Sequence, residues 1–292
     1  GTSTTGAAGA AYNDGPGPMT VTVKGSLTST ESNSAGLKVQ NTDLSSGTDL
    51  TVDETASGVI HGAGMGLQIW NFGAGATTIT TAGDVSADAL GGSGLTVHSG
   101  ENTTGLSITQ TAGTITGGAQ GDGINAYNEG TGATTITTAG TVTADGYNGI
   151  YASNQTTATD ITITQTAGTI TGGTHSNAIG ITNNGTGATS VTTAGTVTAN
   201  DSGGSGISIL NESATTGVTV DQKSGMIGGG AHADAIHIAN FGASAMTVTV
   251  AGTVSANEDG SAGIYALNYS FGTDVTVTQT AGTITGGSED AA

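Results

Sequence analysis

A unit of about 28 residues recurs along nearly the whole chain, and a fixed period of this length restricts the fold to stacked repeats. The copies align on a glycine at Gly25, Gly58, Gly83, Gly113, Gly140, Gly168, Gly195, Gly225, Gly252 and Gly282. Successive copies lie 25 to 33 residues apart, whereas every second copy lies 55 to 58 residues on. Odd units (TTITTAGTVTA) therefore alternate with even units (SITQTAGTITGG), and the true period is a pair.

A second frame in each unit, Gly-Ile-Asn-Ala-Tyr-Asn from Gly123, alternates apolar and variable positions. In nine copies the first and third positions after its start are aliphatic or Ala, as at Ile124 and Ala126. A period of two is typical of a half-buried strand, so we predict that these residues point inward.

The fifth position of this frame lies on the same inward face and is almost always Asn. The file is Asn13, Asn41, Asn71, Ser99, Asn128, Asn154, Asn183, Asn211, Asn240 and Asn268. A buried amide is costly unless its donor and acceptor are both paired. Asparagines at equivalent positions of stacked strands can bond to the copies above and below, as in cross-β stacks. We therefore predict a structural Asn ladder along parallel strands in register.

Each unit carries three strand-like runs, at 135–138, 141–144 and 149–154 in the central copy. Together these features predict an all-β fold, a single-stranded right-handed parallel β-helix of about ten turns of ~28 residues. Even units have one more residue before the aligned glycine, which predicts a bulge or longer corner on alternate turns.

The composition suits a narrow core. With 53 Gly, three Phe and one Trp, the chain has too few large side chains for a wide globular interior, but the coils of a solenoid need only small aliphatic residues between neighbours. Residues 1–292 are therefore interpreted as a single β-helix segment, and since both ends cut through a repeat, we expect it to belong to a longer array.

The charge excludes one class of partner. The net charge is −19, with three Lys and no Arg, so binding to nucleic acid, which requires cations to neutralise phosphates, is not expected. There is no Cys, and no apolar run is long enough to span a membrane.

Catalytic and metal-binding patterns are weak. Asp88 and Asp145 share a column but lie two turns apart, roughly 10 Å, and the run at 203–206 is a glycine bend without a partner His. His175 and His232 occupy related bends two turns apart, and the other His residues are isolated. We predict no enzymatic activity, no cofactor and no metal site, and leave open whether the acidic bends bind calcium.

Two surface features remain. Outward Thr pairs stack over four turns, at Thr114/Thr116, Thr141/Thr143, Thr169/Thr171 and Thr196/Thr198, and resemble the flat Thr arrays of ice-binding solenoids, although Thr also favours exposed strands generally. The candidate partner-contact aromatics are Trp70, Tyr127, Tyr151 and Tyr265. We expect them to be separate packing residues rather than one patch.

Runs such as DITITQTAGTITGG and NAIGITNNGTGATSVTTAGTVTA resemble the passenger domains of bacterial autotransporters, the type V secretion family. The resemblance covers nearly the whole chain and implies a right-handed parallel β-helix that is secreted or held at the cell surface by a C-terminal translocator barrel, which this sequence lacks. It implies a non-catalytic adhesin or stalk that presents binding surface to a protein or glycan on host cells or other bacteria.

Three alternatives stay open. The first is a secreted effector that activates a host cell-surface receptor, and the second is a filament subunit that associates end to end. The third, drawn from the Thr array, is an ice-binding solenoid.

Overall fold

The computed structural model describes residues 2–3, 6–42, 48–200, 203–257, 260–269 and 272–287, so parts of the predicted unit 1–292 lie outside the described residues. The regular structure of the described residues consists of 31 strands in three parallel sheets of 11, 10 and 10 strands. Each circuit of the chain adds one strand to every sheet, because the strands of a sheet follow one another in steps of three. The parallel β-helix with three strands per turn is thereby confirmed.

We name the sheets A, B and C. Sheet A contains β1 (Thr2–Ser3), β4 (Ser26–Ser29), β7 (Val59–Gly62), β10 (Asp84–Ala87), β13 (Thr114–Thr116), β16 (Thr141–Thr143), β19 (Thr169–Gly172), β22 (Thr196–Ala199), β25 (Met226–Gly228), β28 (Thr253–Ser255) and β31 (Thr283–Thr285). Sheet B contains β2 (Gly9–Asn13), β5 (Ala35–Asn41), β8 (Met65–Asn71), β11 (Leu95–Ser99), β14 (Ile124–Asn128), β17 (Ile150–Asn154), β20 (Ile179–Asn183), β23 (Ile207–Asn211), β26 (Ile236–Asn240) and β29 (Ile264–Asn268). Sheet C contains β3 (Met19–Val23), β6 (Leu50–Glu54), β9 (Thr77–Thr81), β12 (Leu106–Gln110), β15 (Thr134–Thr138), β18 (Ile161–Gln165), β21 (Thr189–Thr193), β24 (Val218–Gln222), β27 (Met246–Val250) and β30 (Val275–Gln279). We number the coils 1 to 10 by their sheet B strand, and each coil continues through the next strands of sheets C and A.

The strands of the central copy begin or end within one residue of their predicted limits. The chain runs from β15 (Thr134–Thr138) through β16 (Thr141–Thr143) to β17 (Ile150–Asn154). The register never slips, because equivalent residues pair in every coil, for example Ile136 with Ile108 below and Ile163 above. Side chains therefore form straight columns along the axis.

The core consists of the inward aliphatic side chains of the three sheets, which stack in columns along the axis. Ile108, Ile136 and Ile163 of sheet C are fully buried, as are Ile124 and Ile150 of sheet B. Each inward residue packs chiefly on the same residue one coil away, so small side chains fill the interior. This explains how a chain with three Phe and one Trp can fold.

Alternate coils differ at the corner between sheets C and A. In the even coils Gly113, Gly168, Gly225 and Gly282 adopt left-handed φ angles of 73°, 76°, 80° and 70°, which only glycine accepts readily. The predicted longer corner on alternate turns is therefore present. Sheet C strands that end in Gln, at Gln110, Gln165, Gln222 and Gln279, are followed by these corners.

Candidate functional site

The predicted Asn file lies at the inward end of sheet B. Its ten members pair in register from Asn13 to Asn268, with Ser99 replacing Asn in coil 4. The eight residues from Asn41 to Asn240 are fully buried, and Asn13 and Asn268 are half-buried. The amide side chains therefore form part of the interior.

Direct amide-to-amide hydrogen bonds link only some neighbours in this file. They join Asn13 to Asn41 (3.4 Å), Asn41 to Asn71 (3.0 Å), Asn128 to Asn154 (3.4 Å) and Asn240 to Asn268 (2.8 Å). Elsewhere a Thr from the next sheet C strand joins the file, since Asn183 donates to Thr189 Oγ1 (3.1 Å) and Thr189 donates to Asn211 (2.6 Å). The predicted ladder of direct bonds between every pair of neighbouring amides is therefore only partly formed.

The same amides also hold the corner that follows each sheet B strand. The backbone N–H of Gly130 donates to Asn128 Oδ1 (3.0 Å), and that of Gly185 donates to Asn183 Oδ1 (3.0 Å). Asn128 Nδ2 donates in turn to the carbonyl of Gly132 (3.0 Å). The file therefore satisfies the backbone of the bend, which a buried corner requires.

A second polar file lies at the corner between sheets A and B, one residue before the frame glycine, and sequence reasoning missed it. Asp122 Oδ1 accepts from the Asn148 backbone N–H (2.9 Å), Asn148 Oδ1 from Asn177 (3.3 Å), and Asn177 Oδ1 from Ser205 (2.9 Å). Burial raises the pKa of the Asp122 carboxyl, and hydrogen bonds from Asn148 and Asn125 act in the opposite direction. The only sequence signal is the recurring Asx or Ser at this position.

The outward face of sheet B carries an aromatic strip, which we define as Tyr12, Trp70, His98, Tyr127 and Tyr151, across coils 1 to 6. Trp70, His98 and Tyr127 occupy one column, and the His98 and Tyr127 rings meet edge to face at 5.1 Å between centroids. Tyr151 lies one coil further, two residues away along the strand.

Lys38 lies between the first two rings of the aromatic strip. Its Nζ is 4.6 Å from the Trp70 ring centroid and 6.0 Å from that of Tyr12. Of the predicted aromatics, Trp70 and Tyr127 share a column with His98 between them, and Tyr151 lies on the coil next to Tyr127, in the other outward column. Tyr265 lies apart, in coil 10, and stacks on His237 at 5.0 Å.

Glu129 connects the aromatic strip to a groove at the corner between sheets B and C. Its Oε2 lies 3.1 Å from His98 Nε2, close enough for an ion pair but out of line for a hydrogen bond. Burial raises the pKa of the Tyr127 phenol, and the charge and hydrogen bond of Glu129 raise it further. The groove has a volume of about 520 Å³ and is lined by Glu101, Asn102, Glu129, Gln155, Thr156 and Thr157.

The outward face of sheet C is different in kind. We define as the hydroxyl face its two outward columns in coils 3 to 7, which are Thr78/Thr80, Ser107/Thr109, Thr135/Thr137, Thr162/Thr164 and Ser190/Thr192. These side chains are exposed or half-buried, and none of the ten hydroxyl groups, all within the described chain, bonds to another protein atom. The columns continue to both sides, interrupted by Asp53 and Asp221. The predicted Thr pairs of sheet A also stack in register over four coils.

A Ser, His and Asp meet on the outside of sheet A. His61 Nδ1 lies 2.9 Å from Ser86 Oγ, and His61 Nε2 lies 3.2 Å from Asp88 Oδ2. His61, expected to be isolated, therefore has two partners. The Asp88 side chain is 65% exposed, whereas a catalytic carboxylate that orients His is normally buried. The trio is therefore a surface cluster with one hydrogen bond, between His61 and Ser86, and one close contact between His61 and Asp88.

Within the described ranges, no three His, Asp or Glu side chains are grouped so as to hold a metal ion. His175 and His232 occupy equivalent bends with φ angles of 59° and 58°. In that same part of the chain there is also no helix with the length and apolarity needed to cross a membrane.

The fold and its columns define a parallel β-helix repeat protein with one aromatic and two hydroxyl-rich outer faces. Comparison with protein families, curated proteins and solved structures finds no match to this chain. The assignment of function therefore depends on the faces themselves.

Proposed function

We propose that this chain is a non-catalytic rod in a secreted or surface-exposed bacterial passenger, and that its aromatic strip binds a protein or glycan on a cell surface. Ten strands at about 4.8 Å spacing give each sheet a length of roughly 50 Å. Such a rod holds its faces at a fixed separation, which suits a stalk or adhesin.

The observation that carries this proposal is the concentration of aromatic residues on one face. The chain has one Trp and six Tyr, and the strip contains that Trp and three of the Tyr, distributed over coils 1 to 6 of one sheet. Trp and Tyr are the residues that most often anchor interfaces, because they bury a large area and keep a polar group at the edge.

The surroundings of the strip favour a ligand with both apolar and polar faces. Amide side chains interleave the rings, since Gln40 and Gln68 lie beside Trp70, and Asn125 lies beside Tyr127 and Tyr151. An amide offers donors and acceptors together. A sugar chain or a polar protein surface fits this pattern better than a purely apolar ligand.

The absence of catalysis is part of the proposal. Lyases of this fold class need cationic groups to stabilise an enolate, and the chain has three Lys and no Arg. The Ser86, His61 and Asp88 trio lies on an open sheet surface with a largely exposed carboxylate.

The test is binding of the whole chain to bacterial cells, host cells and an array of glycans. A Trp70→Ala/Tyr127→Ala variant should lose at least about tenfold in affinity, the usual effect of removing interface anchors. Thr80→Ala/Thr135→Ala, in the same coils on sheet C, is the matched control and should bind normally. Equal binding by both variants, or no binding by the unaltered chain, would exclude the strip as the contact surface. A signalling response from host cells would favour the effector alternative.

A second candidate function, ice binding, is favoured by the hydroxyl face. Its hydroxyls repeat at about 4.8 Å between strands and about 6.6 Å along them, on one side of the rod, with no protein partner to reorient them. A general preference of Thr for strands does not explain this concentration of Thr on sheet C. The outward columns of sheet B in the same coils contain two Thr residues, Thr96 and Thr182, among other residue types.

Thermal hysteresis of the purified chain tests this candidate. Thr135→Lys/Thr162→Lys should abolish hysteresis, whereas Thr141→Lys/Thr169→Lys alters sheet A in the same two coils and should leave it intact. Hysteresis that disappears only in the sheet A variant would move the site to that face, and none in the unaltered chain would remove the candidate.

A further inference from the structure

One column at the end of sheet C alternates between two residue types from coil to coil, with one exception. Odd coils place Thr or Val there, and coils 4, 6, 8 and 10 place Gln110, Gln165, Gln222 and Gln279. Coil 2 departs from this pattern with Glu54, which pairs with Val23 below and Thr81 above. Its side chain is fully buried.

The Gln side chains show what this position requires. Gln110 Nε2 donates to the carbonyl of Gly113 in its own corner (3.1 Å) and to that of Thr141 in the next coil (3.0 Å). Gln165 and Gln222 repeat both bonds within 0.1 Å of these distances. The Nε2 position thus faces two carbonyl oxygens and must supply hydrogen atoms.

Glu54 reproduces the accepting half of this arrangement. Its Oε2 accepts from the backbone N–H groups of Ala82 (3.2 Å) and Gly83 (2.9 Å). In coil 6 the equivalent Gln165 Oε1 accepts from the Gly195 N–H (3.3 Å). Oε2 of Glu54 therefore corresponds to the amide oxygen, and Oε1 corresponds to Nε2.

The second carboxyl oxygen of Glu54, Oε1, occupies the position at which the Gln side chains place a hydrogen-bond donor. Oε1 is buried and has no hydrogen-bond partner. The space that a side chain on Gly83 would fill is bordered by both Oε1 and the Gly58 carbonyl oxygen. An ionised carboxylate would turn two acceptors toward each other there, a costly arrangement in the interior.

We propose that Glu54 is a neutral carboxylic acid in the folded rod, with its proton on Oε1, and that this corner is a pH-sensitive joint that closes in acid. The proton makes Glu54 an isostere of the Gln residues in the same column. Its O–H replaces one of the N–H donors that Gln directs at the corner carbonyls.

The charged groups around Glu54 act in the same direction. Burial raises the pKa of the Glu54 carboxyl most, the N–H groups of Gly83 and Ala82 oppose this, and the negative charges of Asp84 and Asp53 raise it further. From the strand below, the apolar Val23 packs against it, followed by the exposed Lys24, and from the strand above, Thr81. None of these residues stabilises the ionised form with a buried positive charge.

The sign of the pH dependence follows. A folded pKa above the unfolded one means that the folded state binds more protons between the two values. The stabilisation is complete below the ordinary pKa of Glu and is lost as the pH rises through the folded pKa. Coils 2 and 3 should therefore be held most firmly together in acid.

The test compares unfolding of the unaltered chain and Glu54→Gln in urea between pH 4 and pH 8. At pH 8 the unfolding equilibrium constant of the unaltered chain should exceed that of the variant by about tenfold, and the difference should shrink toward pH 4. Glu101→Gln, an exposed position, is the control and should follow the unaltered chain. A difference between the unaltered chain and Glu54→Gln that does not change with pH would overturn the proposal.

Two further measurements keep the result unambiguous. The ¹³C shift of the Glu54 carboxyl should titrate at a higher pH in the folded chain than in the urea-unfolded chain, and a folded midpoint at or below the unfolded one would contradict the proposal. Stabilisation by calcium at pH 8 that Glu54→Gln removes would mean that a metal ion, rather than a proton, fills the site.

Discussion

Sheets B and C have equivalent backbone architecture, but their outward faces carry different kinds of side chain. Both have ten parallel strands in unbroken register with aliphatic side chains inside. On sheet C the outward columns repeat Thr or Ser from coil to coil, whereas on sheet B they hold Lys38, Trp70, His98, Tyr127 and Tyr151. Backbone geometry cannot be the cause of a difference between equivalent strands. The two faces are therefore candidates for two different tasks.

The inward ends of the same strands differ in another way. Sheet B ends in an amide in nearly every coil, and that amide holds the following bend. Sheet C ends in an amide only in alternate coils, where a left-handed glycine lengthens the corner. In the odd coils Thr138 and Thr193 leave a buried hydroxyl without a partner. Stability should therefore depend more on the interior of sheet B than on the odd strand ends of sheet C.

The largest expected effect comes from Asn128→Ala. This change removes bonds to the Gly132 carbonyl, Thr134 Oγ1, Asn154 Oδ1 and the Gly130 N–H, all buried or part-buried. Because Asn128 Nδ2 has only two hydrogens to share among its three acceptors, the four contacts amount to about three bonds of about 1 kcal/mol each. We therefore predict a loss of about 3 kcal/mol in the free energy of unfolding. Urea unfolding followed by circular dichroism measures it.

Thr138→Val is the matched control at the end of the next strand. Its hydroxyl is buried and unpaired, so an isosteric methyl group should leave stability unchanged or raise it by about 1 kcal/mol. If Asn128→Ala costs less than about 0.5 kcal/mol, the proposed importance of the Asn file is wrong.

The interior was predictable from the sequence because inward columns repeat the same residue type. Ile124, Ala126 and Asn128 identify a strand, its buried face and its end without knowledge of any neighbour. The aromatic strip was not predictable in this way, because Tyr127 and Tyr151 occupy different positions in their strands and lie on adjacent coils only because of the strand register.

The hydrogen-bond partners of the Asn file were also not predictable from the sequence. Asn183 was expected to bond to the next Asn, but Thr189, the first residue of the following sheet C strand, lies between them. Coils 3, 5 and 7 start that strand with Thr, coils 1 and 9 start it with Met, and the even coils start it with an aliphatic residue, as at Ile161. Which side chain completes the ladder depends on rotamers at a corner, which a column pattern does not specify.

An intermediate effect is expected at the end of an even strand of sheet C. Gln165→Ala removes the donor to the Gly168 and Thr196 carbonyls and the acceptor of the Gly195 N–H. Two bonds at 3.0–3.1 Å and a longer one at 3.3 Å predict a destabilisation of about 2 kcal/mol, smaller than for Asn128→Ala because three groups rather than four lose a bond. Chemical unfolding measures the loss, and a value equal to that of Asn128→Ala would remove the distinction between the two strand ends.

The smallest expected effect is a change in the pKa of Tyr127 on the outward face of sheet B. This face carries ionisable groups, whereas the hydroxyl face of sheet C does not. Burial raises the pKa of Tyr127, followed by the charge of Glu129 and its hydrogen bond to the phenol. Glu129→Gln should therefore lower the pKa of Tyr127 while leaving it above that of a free Tyr, because burial remains. Titration of the Tyr127 ¹³Cζ resonance measures the change, and Glu101→Gln, in the same groove, should not shift it. A Tyr127 pKa that is indifferent to Glu129 would mean that the strip and the groove are electrostatically independent, and the two would then have to be treated as separate binding surfaces.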